Sequence, residues 1–295
     1  MKVLLTGASG FIGSRLSKRL EAAGHRVLPV SRRPGSGYDW SDESLARGVR
    51  ESDAVIHLAG ENLFAKRWSV AQKQILGSSR TVPTRKIATL VAERKPACFI
   101  SSSAVGYYGH NSDAHLHEGS RPGNDFLAGL CVDWEDATLP ARNAGVRTAV
   151  IRTGVVLGQG GGALSKMLPP FKLGLGGPLG SGKQWVSWIH IDDLISLFLF
   201  ILENPNASGV FNGTAPQPVT MKEFARSLGR ALHRPAVFPV PAPILRLALG
   251  EVADILLTGQ YVEPRHATEA GFKFQFTDLR VDLFGFALLL PQFHR

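Results

Sequence analysis

Short apolar runs alternate along this chain with longer stretches in which apolar residues recur every third or fourth position. Val3, Leu4 and Leu5 form the first run, and Ile12, Leu16 and Leu20 follow it at helical spacing. Runs of the first kind suit strands buried on both faces; the second period suits helices with one apolar side. On this basis strands are predicted over residues 2–6, 26–31, 54–58, 97–101 and 147–152, and helices over 11–23, 41–51, 70–94 and 126–144. Alternation at this spacing implies crossover connections and a parallel sheet, so the fold class is α/β, doubly wound. Ligands of such sheets sit at the carboxyl ends of the strands. Here those ends carry Gly7, Arg32, the turn from Ala59 to Asn62, Ser101 to Ser103, and Thr153-Gly154.

The rhythm changes after Gly154. Residues 158–182 are rich in glycine and are predicted to loop out from the sheet. Trp185 to Asp193 leads into an apolar helix with Leu194, Leu197, Phe198 and Ile201, and residues 209–213 read as one more strand. Thr220 and Glu223 form a capping box ahead of Phe224, Leu228 and Leu232. The expected division is a Rossmann-type domain over 1–157, completed by 187–215. Residues 158–186 and 216–295 make a smaller C-terminal α/β substrate lobe.

Composition narrows the partners. The chain has 295 residues, enough for a large α/β domain with a lobe, and its 44% hydrophobic content is that of a globular protein. The start does not resemble a signal peptide, and the apolar stretches 195–202 and 283–290 are too short for a bilayer, so no membrane partner is expected. Cys98 and Cys131 show neither metal-ligand spacing nor a disulfide framework, which points to a reducing cytoplasm and no metal. A net charge of +9 raises the question of nucleic acid. The basic residues are scattered, without a run of five and without an aromatic stacking motif, so no nucleic-acid partner is expected. A basic surface plus a site for a charged small molecule accounts for the excess.

The chemistry begins at Gly7-x-x-Gly10-x-x-Gly13, between the first strand and the first helix. Gly7 lets the chain turn, Gly10 leaves room for a pyrophosphate against the backbone, and Gly13 brings the helix close to the strand. The N–H groups around Ser9, Gly10, Phe11, Ile12 and Gly13 then face the phosphates. Ser31, Arg32 and Arg33 follow the second strand, where an NAD site places an acid; no acid occurs until Asp39. A guanidinium fork pairs with a 2′-phosphate, so the expected cofactor is NADP(H).

Taken together these residues resemble the extended short-chain dehydrogenase/reductase superfamily, which includes the nucleotide-sugar epimerases and dehydratases, over nearly the whole chain. The likeness rests on the glycine loop, His57-Leu58-Ala59-Gly60, Ser101-Ser102-Ser103-Ala104 and Trp188 to Asp193. Ala59-Gly60-Glu61-Asn62, Ser79-Arg80, Ser103 to Gly109, Asp125-Phe126-Leu127, Trp134-Glu135 and the stretch from Gly259 to Phe272 resemble an atypical branch, the epimerase-family proteins of unknown function. The resemblance implies an oxidoreductase or isomerase-like protein that acts on a small molecule, a nucleotide-sugar among the candidates. Leu58, Ala59, Gly60, Ser101 and Arg152 then join the cofactor-binding set. Dimers through four helices are common in the superfamily, and helices 70–94 and 126–144 are candidates for a homodimer contact.

The superfamily's Tyr-x-x-x-Lys pair is missing. Tyr lowers the barrier as acid/base and Lys depresses its pKa. Aligned on Glu135, Leu127 and Cys131 stand in their places, and no Tyr occurs between Tyr108 and Tyr261. Substitutes at the strand ends are Tyr107, Tyr108, Ser103 and Glu61. His190 and Lys183 are candidates for the substrate cleft, Lys183 and Arg152 for a substrate phosphate; His190 equally suits a buried structural place. Asp192 is expected to cap the following helix. Two readings stay open: an enzyme with an unusual proton donor, and a catalytically silent module that senses or binds NADP(H).

Overall fold

The computed structural model describes residues 1–32, 37–110 and 114–279. Its central sheet has six parallel strands: β1 (Lys2–Thr6), β2 (Arg26–Val30), β3 (Ala54–His57), β4 (Cys98–Ala104), β5 (Thr148–Thr153) and β6 (Gly209–Gly213). They lie in the order β6-β5-β4-β3-β1-β2. The residue Leu5 pairs with Pro29 on one side and Ile56 on the other, and Ser103 pairs with Arg152. Pro29 is tolerated because β2 is an edge strand.

Alternate residues of each strand feed opposite faces. Val3, Leu5, Ile56, Ile100 and Ile151 pack with Leu16 and Leu20 of α1 (Phe11–Ala22) and with Leu194 and Phe198 of α7 (Ile191–Glu203). Leu4, Val55 and Phe99 pack with Leu45 of α2 (Asp42–Glu51) and with Ile87 and Val91 of α3 (Val70–Arg94). Both faces of the sheet are therefore dry. Among the described residues no helix is long and apolar enough to cross a membrane.

Three predicted elements come out differently. The helix expected over 126–144 is two helices, α4 (Phe126–Asp136) and α5 (Leu139–Asn143). Pro140 has no N–H to continue the ladder, and the Thr138 hydroxyl donates to the Glu135 carbonyl at 2.6 Å. The stretch 158–182 holds a helix, α6 (Gly162–Lys172), in spite of Pro169 and Pro170. Its Leu164 and Phe171 bury into a second core with Trp188, Phe224 and Leu228, and that burial outweighs the weak local propensity. Finally, His190 rather than Asp192 caps α7: its side chain accepts from the Asp192 N–H at 3.1 Å. The capping box at Thr220 and Glu223 does open α8 (Met221–Ala231).

The lobe expected over 216–295 does not pack as one body. Phe224 and Leu228 belong to the second core, whereas Ala267 and Phe272 return to the core over the main sheet.

Candidate functional site

The site is built on the start of α1. Gly7 has φ +72, and the Gly10 N–H donates to its carbonyl at 3.0 Å. A Cβ at Gly13 would lie 2.1 Å from the Gly7 carbonyl oxygen, so only glycine lets the helix approach the turn. A Cβ at Gly10 meets only that oxygen, at 3.2 Å, and otherwise open space. Gly10 is also the N-cap, and no side chain caps the helix, so the N–H groups of the first turn face outward beside the exposed Ser9. Phe11 and Ile12 are half-buried.

The turn after β3 is tied beneath. The Thr6 Oγ1 accepts from the N–H groups of Leu58 and Ala59 at 3.2 and 3.3 Å and lies 2.7 Å from His57 Nδ1. Burial pushes the His57 pKa down to about 3, so the ring is neutral there. Leu58, Ala59 and Gly60 thus lie under Gly7. Ser31 and the exposed Arg32 follow β2 on the same edge of the sheet, and Arg33 falls outside the described residues.

Beside this cradle lies a cavity of about 310 Å³, closed on one side by β4 and α4 and on the other by α6, α8 and residues 255–260. Leu127, Leu130, Cys131 and Trp134 of α4 all line it. The face where a Tyr and a Lys would project is apolar, and burial, followed by the Glu135 carboxylate, pushes the Cys131 thiol up to about 12. The polar wall is small. It includes Arg80, His110, Asp125 and Gln260. His110 Nε2 stands 3.6 Å from Asp125 Oδ2, while Asp125 Oδ1 caps α4 by accepting from the Ala128 N–H at 3.0 Å.

Most of the sequence candidates for catalysis are placed elsewhere. Ser103 donates to Glu135 Oε1 at 2.7 Å, and Arg152 clamps the same carboxylate through Nε and Nη2, both at 2.8 Å. Arg152 Nη1 donates to the Tyr108 oxygen at 3.0 Å, and that phenol donates to Asn212 Oδ1 at 2.7 Å. Tyr107 lies flat on the Arg152 guanidinium, 3.3 Å from carbon to ring centre. This is one buried network joining β4, α4, β5 and β6. Tyr108 is 0% exposed and burial pushes its pKa up to about 12, so it is sealed from the cavity as a proton donor. Arg152 is committed to Glu135 and is not available to a phosphate. Ser101 is buried with its hydroxyl toward the Ser102 carbonyl at 3.4 Å.

The remaining candidates also stand apart. Glu61 is half-buried at the turn and does not line the cavity; its backbone carbonyl accepts from Arg80 at 2.7 Å. His190 stacks on Phe276 with ring centres 3.6 Å apart, and burial lowers its pKa to about 4. It packs, and does not line the cleft. Lys183 is exposed outside the cavity. Sequence reasoning missed Arg80, His110 and Asp125 as site residues. Ser79-Arg80 and Asp125-Phe126-Leu127 stood out as motifs, but nothing local showed which side chains turn inward.

A six-stranded parallel sheet, an uncapped glycine-rich helix start and a lobe closed over the strand ends define a Rossmann-type protein of the short-chain dehydrogenase kind. Residues 3–212 match the NAD dependent epimerase/dehydratase family, and the chain belongs to it. Residues 240–281 match a domain of unknown function. The chain is 43% identical over 296 residues to an epimerase family protein of Mycobacterium bovis, covering 98% of each. A crystal structure of the human epimerase family protein SDR39U1 (isoform 2) with NADPH superimposes with a TM-score of 0.93 at 38% identity, covering 98% of this chain and 100% of that one. UDP-glucose 4-epimerase from Thermotoga maritima with UDP-glucose shares the fold, with a TM-score of 0.80 at 19% identity over 98% of each chain.

Proposed function

We propose that this protein binds NADP(H) at the carboxyl ends of the strands and acts on a small molecule in the adjoining cavity, as an epimerase- or reductase-like enzyme without the Tyr-x-x-x-Lys pair. The observation that carries this reading is the open, uncapped start of α1 at the same end of the sheet as a cavity lined by α4, the second core and the strand-end residues Thr153 and Gly154. The residues present fit the cofactor. Gly10 leaves room for a pyrophosphate, the first-turn N–H groups of α1 offer donors, and Arg32 follows β2 where a 2′-phosphate is read. The likeness to a human relative crystallised with NADPH supports the same choice. Bound there, NADP(H) supplies hydride chemistry, and the protein's task is to orient the substrate, exclude water and move one proton.

For the proton we assign His110, with Asp125 as its orienting partner. They are an imidazole and a carboxylate 3.6 Å apart on the cavity wall, and a general base must stand within reach of the proton it takes. The second reading, a silent NADP(H) sensor, draws on the apolar α4 face at Leu127 and Cys131. Two buried thiols accord with a reducing compartment such as the cytoplasm. A homodimer through α3 is part of the reading, supported by the exposed Ile75 and Val82; a monomer mass by light scattering removes it.

Fluorescence titration should show NADPH binding at least tenfold tighter than NADH, with Arg32→Ala removing most of the difference, since a charged hydrogen bond contributes roughly 1.5–3 kcal/mol. Equal affinities for the two cofactors in the wild type would overturn the NADP(H) assignment. NADPH oxidation should then be screened over small carbonyl compounds. On any substrate found, His110→Gln should cut turnover by about 10²-fold or more. Tyr107→Phe and Glu61→Gln should leave it near the wild-type rate. Turnover that survives His110→Gln ends that assignment, and tight NADPH binding with no turnover favours the sensor.

A further inference from the structure

Arg80 is the unexplained group of the site. It is 7% exposed, and its charge touches no acid: among the described residues no carboxylate lies within the 4.0 Å of an ion pair. The groups it hydrogen-bonds to are uncharged. Nη1 donates to the Leu76 carbonyl at 3.0 Å and to Ser79 Oγ at 3.4 Å, and Nη2 donates to the Glu61 carbonyl at 2.7 Å. Nε makes no hydrogen bond to any of them. The guanidinium carbon lies 5.2 Å from the Trp134 ring centre, and Gly60 packs close enough that a Cβ there would touch the guanidinium at 3.5 Å. Burial pulls its pKa down while the Glu61 carboxylate, beyond ion-pair distance, acts the other way, and an arginine stays charged in any protein. The carbonyls therefore hold a rigid cation, aimed at an apolar cavity, with no counter-charge in contact. A buried cation of this kind is costly unless an anion joins it.

We propose that the cavity takes a small, largely apolar molecule with one carboxylate set against Arg80, and that nucleotide sugars are not its ligands. The inference rests on the reading of this cavity as the substrate site. Its second support is the rest of the wall. Among the described lining residues Arg80 is the only arginine and there is no lysine, while Leu127, Leu130, Met167, Val186 and Phe224 face the same space. A nucleoside diphosphate brings several negative charges and a polar sugar; among the described lining residues this wall sets one arginine against the charges and, with His110, Asp125 and Gln260, few polar side chains against the sugar. One carboxylate on an apolar body matches one guanidinium in an apolar chamber.

Calorimetric titration of the whole chain decides it, with hexanoate, phenylacetate, their neutral amides and UDP-glucose as probes, each with and without NADPH. The acids should bind about tenfold or more tighter than the amides, and UDP-glucose should not saturate. Arg80→Gln should reduce the acids to the level of the amides, with NADPH affinity within about threefold of wild type. Equal affinity for acid and amide overturns the proposal, as does tighter binding of UDP-glucose. An Arg80→Gln protein that loses NADPH as well assigns the guanidinium to the cofactor, and also overturns it. Should Arg80→Gln fail to fold, the acid–amide comparison on the wild type still tells the outcomes apart. NADPH is titrated separately, so a failed cofactor cleft shows there while the acid–amide difference is read on the protein alone.

Discussion

The Arg152 guanidinium is buried and still charged because Glu135 meets it with two parallel bonds of 2.8 Å. Burial works against that charge, but the Glu135 carboxylate more than offsets it and the Arg152 pKa is raised. Removing one partner strands the other, so Glu135→Ala should cost about 3–5 kcal/mol in urea unfolding. A loss below about 1 kcal/mol would show that the network is not a structural anchor. His57 makes a second prediction. Its folded pKa is lowered to about 3 while its ordinary value is 6.5, so between those values the unfolded chain binds the proton and the native state does not. Its contribution is intact above about pH 6.5 and is lost on acidification, by up to about 1.4 kcal/mol per pH unit. Unfolding at pH 7.5, 6 and 5 should therefore show a shallower pH dependence in His57→Asn than in wild type; identical slopes would refute this. At this scale the sequence was only partly legible. Tyr107 and Tyr108 stand at the end of a strand, and which way a short turn aims two adjacent phenols depends on Arg152 and Asn212, far away in the chain. Arg80 sits nineteen positions beyond the Glu61 carbonyl it grips, so no local motif reveals the contact.

Among the elements, α1 was the most legible, because its apolar period and its glycines answer to the same geometry. Gly13 faces the Gly7 carbonyl, whereas Gly10 faces outward. Gly13→Ala should therefore destabilise the protein, by roughly 1–3 kcal/mol or more, as the helix is forced from the turn. Gly10→Val should keep the fold and lose NADPH by more than about tenfold, because the side chain stands in the phosphate path. Thermal unfolding and a cofactor titration on both variants separate the two effects; a folded Gly10→Val protein with normal NADPH affinity would remove the cradle. The helix α6 was hidden for the opposite reason. Gly161, Gly162, Pro169 and Pro170 all speak for a loop, and only the burial of Leu164 and Phe171 in the second core makes it a helix. The break at Pro140 was visible in the residue itself, yet the apolar stripe of α4 ran on past it in the pattern.

At the scale of the molecule, the parallel sheet with helices on both faces follows from the alternation of elements, but the strand order and the division into domain and lobe do not. Ala267 and Phe272 rejoin the main core after the chain has built the second one, a return that only tertiary packing decides. The segment ahead of α6 also reaches the first helix. Gly158, Gly161 and Gly162 press against the ring of Phe11, the first residue of α1; a Cβ at Gly161 would fall 2.3 Å from the ring. Arg15 of the same helix donates to the Gln159 carbonyl and pins the segment in place. A strap pinned to the side of an open cradle is expected to govern time as well as affinity: a dinucleotide on the start of α1 is held longer while the strap stays against Phe11. Adding a methyl group at Gly161 wedges the strap off Phe11, and because changes of this kind act chiefly on departure, NADPH should escape about threefold to tenfold faster while its entry rate holds. Stopped-flow displacement measures that residence time directly, and an unchanged escape rate in Gly161→Ala would mean that the cradle opens to solvent by another way.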